Sequence, residues 1–235
     1  MNVYLNENAM LIDYQNVNIC QDGYCVLKKV NLQVEEGDFI YLIGKVGSGK
    51  SSLLKTFYCE LDVEEGDKIE VMGRNLKTIK RKDIPSLRKE MGVIFQDFQL
   101  LADRSVYENL QFVLKSTGWR DKERREARID EVLKAVGMAD HKYKMPHELS
   151  GGEQQHIAIA RAILNLPDII IADEPTGNLD PETACGIVEL LKEIGKEGRA
   201  VIMSTHNISL LEKFPGRVFS CDDGTFKEVT TQYCK

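Results

Sequence analysis

FIYLIGKVGSGKSSLLKTF, residues 39–57, sets five apolar residues before a glycine-rich turn and a segment of helix-forming residues. The short apolar run Phe39–Ile43 reads as a buried strand, and the segment opening at Lys50 reads as a helix. Between them, Gly44 to Ser51 fits the spacing G-x-x-x-x-G-K-[ST] in the strand-then-helix context that this motif requires. Glycines let successive backbone N–H groups turn inward around phosphate oxygens, and the helix N-terminus adds positive potential. Lys50 can reach the terminal phosphates and Ser51 can ligate a magnesium ion. Gly44, Lys45, Val46, Gly47, Ser48, Gly49, Lys50, Ser51 and Ser52 therefore form the expected cradle of a nucleoside triphosphate.

Outward from this loop, residues 11–43 read as strands: LIDYQNVNI, VLKKVNLQV and FIYLI. KIEVMG and GVIF follow as further strands. From Ser105, whose spacing to Glu108 predicts a capping box, the pattern turns helical. Ile129, Val132, Leu133 and Val136 then recur on one helical face, and Gly137 ends that helix. After residue 150, helix and strand alternate: a helix over 152–164, the strand IIIA, a helix opening at Asp180-Pro181, and the strand RAVIMS. The expected fold is α/β, with a β-rich N-terminal part, a mainly parallel core sheet and an inserted α-helical lobe. One domain spans 1–235, its core about 1–97 and 151–235 and its helical lobe about 98–150.

Composition sets limits on function. At 235 residues, 43% apolar and 29% charged, the chain is a folded single domain. Its apolar runs fall far short of the roughly 20 residues of a membrane-spanning helix. MNVYLNENAM lacks the basic start and apolar core of a secretory signal, so a cytoplasmic location is expected. A net charge of -6 opposes bulk nucleic-acid binding, and the basic run Arg74 to Lys89 reads as a local solvated face. Six cysteines, at 20, 25, 59, 185, 221 and 234, show no C-x-x-C pair and no zinc spacing. They read as small buried apolar side chains, without a disulfide or metal role.

Two further segments carry chemistry. Asp173 and Glu174 end the strand IIIA at the carboxyl edge of a parallel sheet, where ligands of open α/β folds sit. Asp173 is placed to orient magnesium, and Glu174 to act as general base toward the attacking water. LSGGEQ, Leu149 to Gln154, opens another helix with Ser150, Gly151 and Gly152 and so presents a second set of N–H groups to an anion. One nucleotide does not need two distant helix N-termini of one chain. The second cradle is expected to serve the γ-phosphate held by another copy, across a homodimer interface.

These segments, with Gln96 after a strand, the NLD turn at 178–180 and His206 after VIMST, resemble the ATP-binding cassette (ABC) family in order and spacing over nearly the whole chain. The resemblance implies a RecA-like core and an ATPase working on ATP with Mg2+. It further implies that Gln96 joins magnesium to the helical lobe, that Asp180 communicates across the dimer and that His206 senses the γ-phosphate. VIFQDFQLLADRSVYENL, Val93 to Leu110, is similar to the cell-division subfamily FtsE. That likeness implies an FtsX-like integral membrane partner and a peripheral place on the inner face of the cell membrane. ATPases of lipoprotein release or drug export share the other motifs and are the alternative. Three positions depart from the family pattern. Cys20 stands where an aromatic residue would stack on adenine, leaving Tyr24 as the candidate substitute. His156 stands where Arg is usual, and Cys59 where Gly is expected.

Overall fold

The computed structural model describes residues 9–21 and 23–233, so residues 1–8 and 22, Cys234 and Lys235 lie outside the described residues. Strands β1 (Met10–Gln21) and β2 (Tyr24–Glu35) form an antiparallel hairpin. β3 (Phe39–Ile43) leads into helix α1 (Lys50–Phe57), after which β4 (Lys68–Val71) and β5 (Arg74–Asn75) return to the hairpin. The resulting antiparallel sheet has the order β2-β1-β4-β5. Helix α2 (Ile84–Lys89) precedes β6 (Met91–Ile94), and α3 (Val106–Ser116) and α4 (Lys122–Ala135) form the helical insertion. The α/β order resumes with α5 (Gly151–Ile163), β7 (Ile169–Ala172), α6 (Pro181–Lys196) and β8 (Ala200–Thr205). The chain continues through α7 (Ser209–Lys213), β9 (Arg217–Asp222), β10 (Thr225–Glu228) and α8 (Thr230–Tyr233). The second sheet has the order β10-β9-β3-β8-β7-β6 and is parallel except at its β10 edge.

β3 is buried along its whole length because it faces two cores. Successive side chains of a strand point to opposite faces. Phe39, Tyr41 and Ile43 accordingly join the core made with α3, α4, α5 and α6. Ile40 and Leu42 join the core made with α1 and the antiparallel sheet. The helical stripe read from the sequence is buried in the first of these cores: Ile129, Val132, Leu133 and Val136. Helix starts also follow the residues that cap them. Ser105 and Glu108 form the reciprocal box of α3, Asp121 accepts from the N–H of Arg124, and Asp180 accepts from those of Glu182 and Thr183.

Two sequence expectations change. The basic run is not uniformly solvated: Arg74 pairs through both terminal nitrogens with Glu90, at 2.8 and 2.5 Å, tying β5 to the end of α2. Arg88 donates to the carbonyls of Tyr58 and Cys59, behind α1. The reading of all cysteines as unpaired is also corrected, because Cys20 and Cys25 are joined by a disulfide. The hairpin register sets these two residues directly opposite one another. Five positions of spacing carry no such signal until the turn between them is known. Cys59 and Cys185 are free and half-buried, and Cys221 is free and buried.

Leu42 is fully buried at the centre of the sheet. Leu42→Ala should therefore cost about 2–5 kcal/mol of unfolding free energy, through lost burial and a residual cavity. Urea unfolding followed by circular dichroism measures the loss.

Candidate nucleotide-binding site

The phosphate loop is shaped by close contacts that exclude side chains. A Cβ on Gly44 would lie 2.2 Å from the carbonyl oxygen of Cys221 in β9, and its φ of +147° suits glycine. Gly49, at φ +96°, is the N-cap of α1 and supplies no side-chain cap. The first N–H groups of α1 are therefore left for a ligand. Ser48 Oγ is buried and has no hydrogen-bond partner, as an atom meant for a bound phosphate oxygen would be. Cradle and orphan hydroxyl together fit a nucleotide phosphate.

The sheet places the charged residues beside this loop. Lys50 is 6% exposed, and its Nζ donates to the carbonyls of Gly44 at 2.8 Å and Lys45 at 3.1 Å. The same nitrogen lies 3.5 Å from Glu174 Oε1. Glu174 Oε2 meets His206 Nδ1 at 2.9 Å, so this carboxylate stands between a lysine and a histidine. Ser51 Oγ donates to Asp173 Oδ1 at 3.0 Å, joining the first turn of α1 to the end of β7. These two oxygens offer a hard donor set suited to magnesium. Glu174 has a backbone φ of +47°, a costly conformation for a side-chain-bearing residue. It is held there by its N–H to Ser204 Oγ, at 2.8 Å, and by its carbonyl accepting from Gly177.

A cleft of about 350 Å³ runs along the loop. Val46 to Ser52 line one side, with Gln96, Glu174, His206, Gln21 and Val26 around them. A larger cleft of about 740 Å³ between α1 and α2 contains neither the loop nor the carboxylates. Tyr24 is 79% exposed and does not line the nucleotide cleft. Ser150, Gly151, Gly152 and Asp180 do not line it either. Ser150 caps α5, with its N–H donating to Glu153 Oε2 at 2.7 Å. That backbone bond, then the Ser150 hydroxyl, lowers the Glu153 carboxyl below its ordinary pKa. His141 Nε2 contacts the other Glu153 oxygen at 2.9 Å. A Cβ on Gly152 would lie 2.7 Å from Thr183, so this segment packs against the start of α6, whose cap is Asp180. His156 Nδ1 lies 2.8 Å from the Gly152 carbonyl, one turn back along α5.

The motifs did not point to Gln21, Val26, His141 or Ser204. Ser204 is fully buried at the end of β8, where its hydroxyl accepts from the Glu174 N–H and donates to Asp173 Oδ1 at 2.7 Å. In the sequence it is one small residue in an apolar strand, two positions before His206.

The family model described as ABC transporter matches residues 27–177, and the chain belongs to that family. Among curated relatives, the cell division ATP-binding protein FtsE of Streptococcus pneumoniae (strain D39) is 42% identical over 203 residues, 86% of this chain and 87% of that protein. FtsE of Bacillus subtilis is 40% identical over 203 residues, covering 86% and 88%. FtsE of Escherichia coli K12 is 39% identical over 202 residues, covering 86% and 90%. Among solved structures, cbiO1 of Clostridium perfringens, part of the ABC transporter complex cbiONQ, superposes with a TM-score of 0.85 at 31% identity, covering 94% of this chain and 88% of that one. The cassette MJ0796, solved as a dimer in a post-hydrolysis state bound to ADP and Pi, gives 0.79 at 31% identity, covering 94% and 98%. The sequence expectation of an FtsE-like cassette ATPase is borne out.

Ser204→Ala leaves the Glu174 N–H without its partner and Asp173 Oδ1 with only the Ser51 hydroxyl, a loss of about 1–3 kcal/mol in alignment of the two carboxylates. ATP turnover should fall roughly tenfold or more while ATP affinity changes little. Phosphate-release kinetics alongside equilibrium ATP binding separate the two effects.

Proposed function

We propose that two copies of this chain close around two ATP molecules with magnesium, hydrolyse them, and drive an FtsX-like integral membrane partner in cell division. The observation that carries the chemistry is Glu174, held between Lys50 and His206 at the mouth of the phosphate loop. Lys50 exchanges the carbonyls of Gly44 and Lys45 for the β and γ phosphates. Ser51 and Gln96, with Asp173 behind them, would hold magnesium, which neutralises phosphate charge when bound. Glu174 takes a proton from the attacking water, whose oxygen bonds to the γ-phosphorus while the bond to the ADP oxygen breaks. With a proton on both ring nitrogens, His206 donates Nδ1–H to Glu174 and has Nε2–H to donate to a γ-phosphate oxygen.

The dimer follows from what the cleft lacks. Ser150 to Gly152 form a capped helix N-terminus that does not line this chain's own nucleotide cleft, and Asp180 caps the neighbouring helix. A second copy facing the first brings Ser150 to Gly152 onto the γ-phosphate, as the charge at a helix N-terminus favours. The dimeric state of MJ0796, a structural relative, supports this reading. Within each copy, the core of about 1–97 and 151–235 and the helical lobe of about 98–150 transmit closure of the site. No helix among the described residues is long and apolar enough to cross a membrane. Work on a membrane therefore passes through a partner at its inner face, and the names of the FtsE relatives favour a cell-division partner over an exporter.

Lys50→Ala should abolish ATP binding in an equilibrium assay with labelled ATP, and unchanged affinity would place the phosphates elsewhere.

Glu174→Gln keeps the shape of the side chain and removes the base. ATP binding should persist, phosphate release should fall by about 100-fold or more, and the variant should elute as a dimer only with ATP. Size-exclusion chromatography with light scattering decides this, and a monomer in saturating ATP overturns the composite site.

A further inference from the structure

The Cys20–Cys25 link closes the tip of the hairpin that borders the nucleotide cleft. In the register, Cys20 opposes Cys25, and the next pair, Gln21 opposite Tyr24, ends the ladder. Directly opposed residues share a face, and successive residues alternate. The two sulfurs therefore lie on one face of the tip, and Gln21 and Tyr24 on the other. Gln21 fixes that other face to the phosphate loop, its Oε1 accepting from Ser52 Oγ at 3.2 Å. The ladder also shifts register between Ile19 and Cys20, so regular pairing is interrupted just behind the tip. The disulfide restores a firm connection there, immediately behind the pair that ends the ladder, of which Gln21 lines the nucleotide cleft.

A second observation concerns the surroundings of Cys25. It lines an open cleft of about 680 Å³ together with Lys28, Lys29 and Lys227, with Asp223 as the one acidic residue in the lining. Three lysines in the lining it shares attract an anionic reagent to this half-buried cysteine. Two of the remaining described cysteines differ. Cys221 is buried, and burial raises its thiol to about 12. Burial also raises the Cys59 thiol.

We propose that Cys20 and Cys25 form a reversible thiol–disulfide site, fed by carboxylate-bearing low-molecular-weight disulfides, that sets how firmly Tyr24 and Gln21 hold the nucleotide base. The Cys25 thiolate attacks one sulfur of the small disulfide RSSR, forming a mixed disulfide and releasing one RS⁻. The Cys20 thiolate then attacks the Cys25 sulfur and expels the second RS⁻. Two protein thiols lose two protons and two electrons, and RSSR becomes two RSH; excess RSH reverses both steps. Oxidised, the tip is stapled with Tyr24 opposite Gln21, from where its exposed ring swings over the base once a nucleotide is bound. Reduced, the tip beyond the bulge loosens and that platform is lost, while the phosphate cradle is unaffected.

The proposal rests on the ATP-binding reading above, and one experiment separates the two. Reduced full-length protein is treated with oxidised glutathione or, in a parallel arm, with the cationic disulfide cystamine, and peptides are mapped without reduction. Affinities of the reduced and oxidised forms for ATP and for tripolyphosphate are then measured. A Cys20–Cys25 peptide should form, faster with oxidised glutathione than with cystamine at low salt, and the advantage should shrink at high salt. The oxidised form should bind ATP roughly fivefold or more tighter, with no change for tripolyphosphate. Tyr24→Ala should remove that difference, and the Cys20→Ser, Cys25→Ser double variant should match the reduced protein in both conditions. Absence of the linked peptide, preferential oxidation of Cys59 or Cys185, or equal ATP affinity in both states overturns the proposal. Failure of both states to bind ATP would instead overturn the ATP-binding reading, with the peptide map still reporting on the thiols.

Discussion

Parallel pairing of β3 with β8 and of β8 with β7 is the constraint on which the site depends. In parallel strands the carboxyl ends lie along one edge, so the residues that follow them meet there. Ile43 pairs with Thr205, and Ala172 with Met203. That register brings the phosphate loop after β3, the carboxylates after β7 and His206 after β8 to one edge, although more than a hundred residues separate the first from the others. β9, on the other flank of β3, contributes the Cys221 carbonyl that leaves no room for a side chain on Gly44. The loop is thus held from two neighbouring strands, and Gly44 is required by contact as much as by conformation.

Within that edge, hydrogen bonds on one side of the carboxylates and charge on the other set their geometry. Ser204 spans Asp173 and Glu174, and Ser51 reaches Asp173 from α1. Lys50 meanwhile rests on two carbonyls of its own loop and close to Glu174. A buried ammonium needs such partners, since an unpaired charge out of water is costly. Incoming phosphate oxygens can replace these carbonyls with charged acceptors, so the resting contacts keep Lys50 poised without committing it.

The segment around Ser150 is organised by different means. Its helix is capped by Ser150 and Glu153, backed by His141, and pressed through Gly152 against Thr183 of α6. Asp180, at the head of α6, has its carboxyl pKa lowered first by the Thr183 hydroxyl and then by backbone N–H groups. Thr183 therefore touches both the glycine-rich helix start and the turn before α6. A displacement of either is felt by the other through direct packing, because close-packed interiors transmit small shifts.

The sequence by itself determined the local features. These are the phosphate loop with its strand and helix, the capping box at Ser105, the helix start at Asp180, the buried stripe of α4 and the acidic end of β7. Each is a short-range pattern whose physics acts over a few residues, so neighbouring letters suffice to read it. The tertiary structure alone decided what depends on register and approach between distant segments. Ser204 is an ordinary strand residue until β8 lies beside β7, and Cys20 and Cys25 read as unpaired until the hairpin sets them opposite one another. Gln21 and Val26 reach the cleft only because the antiparallel sheet folds over α1. Arg74 leaves the basic run to meet Glu90 only once α2 returns beside β5. Such relations arise from long-range pairing, which has no periodicity along the chain by which it could be read.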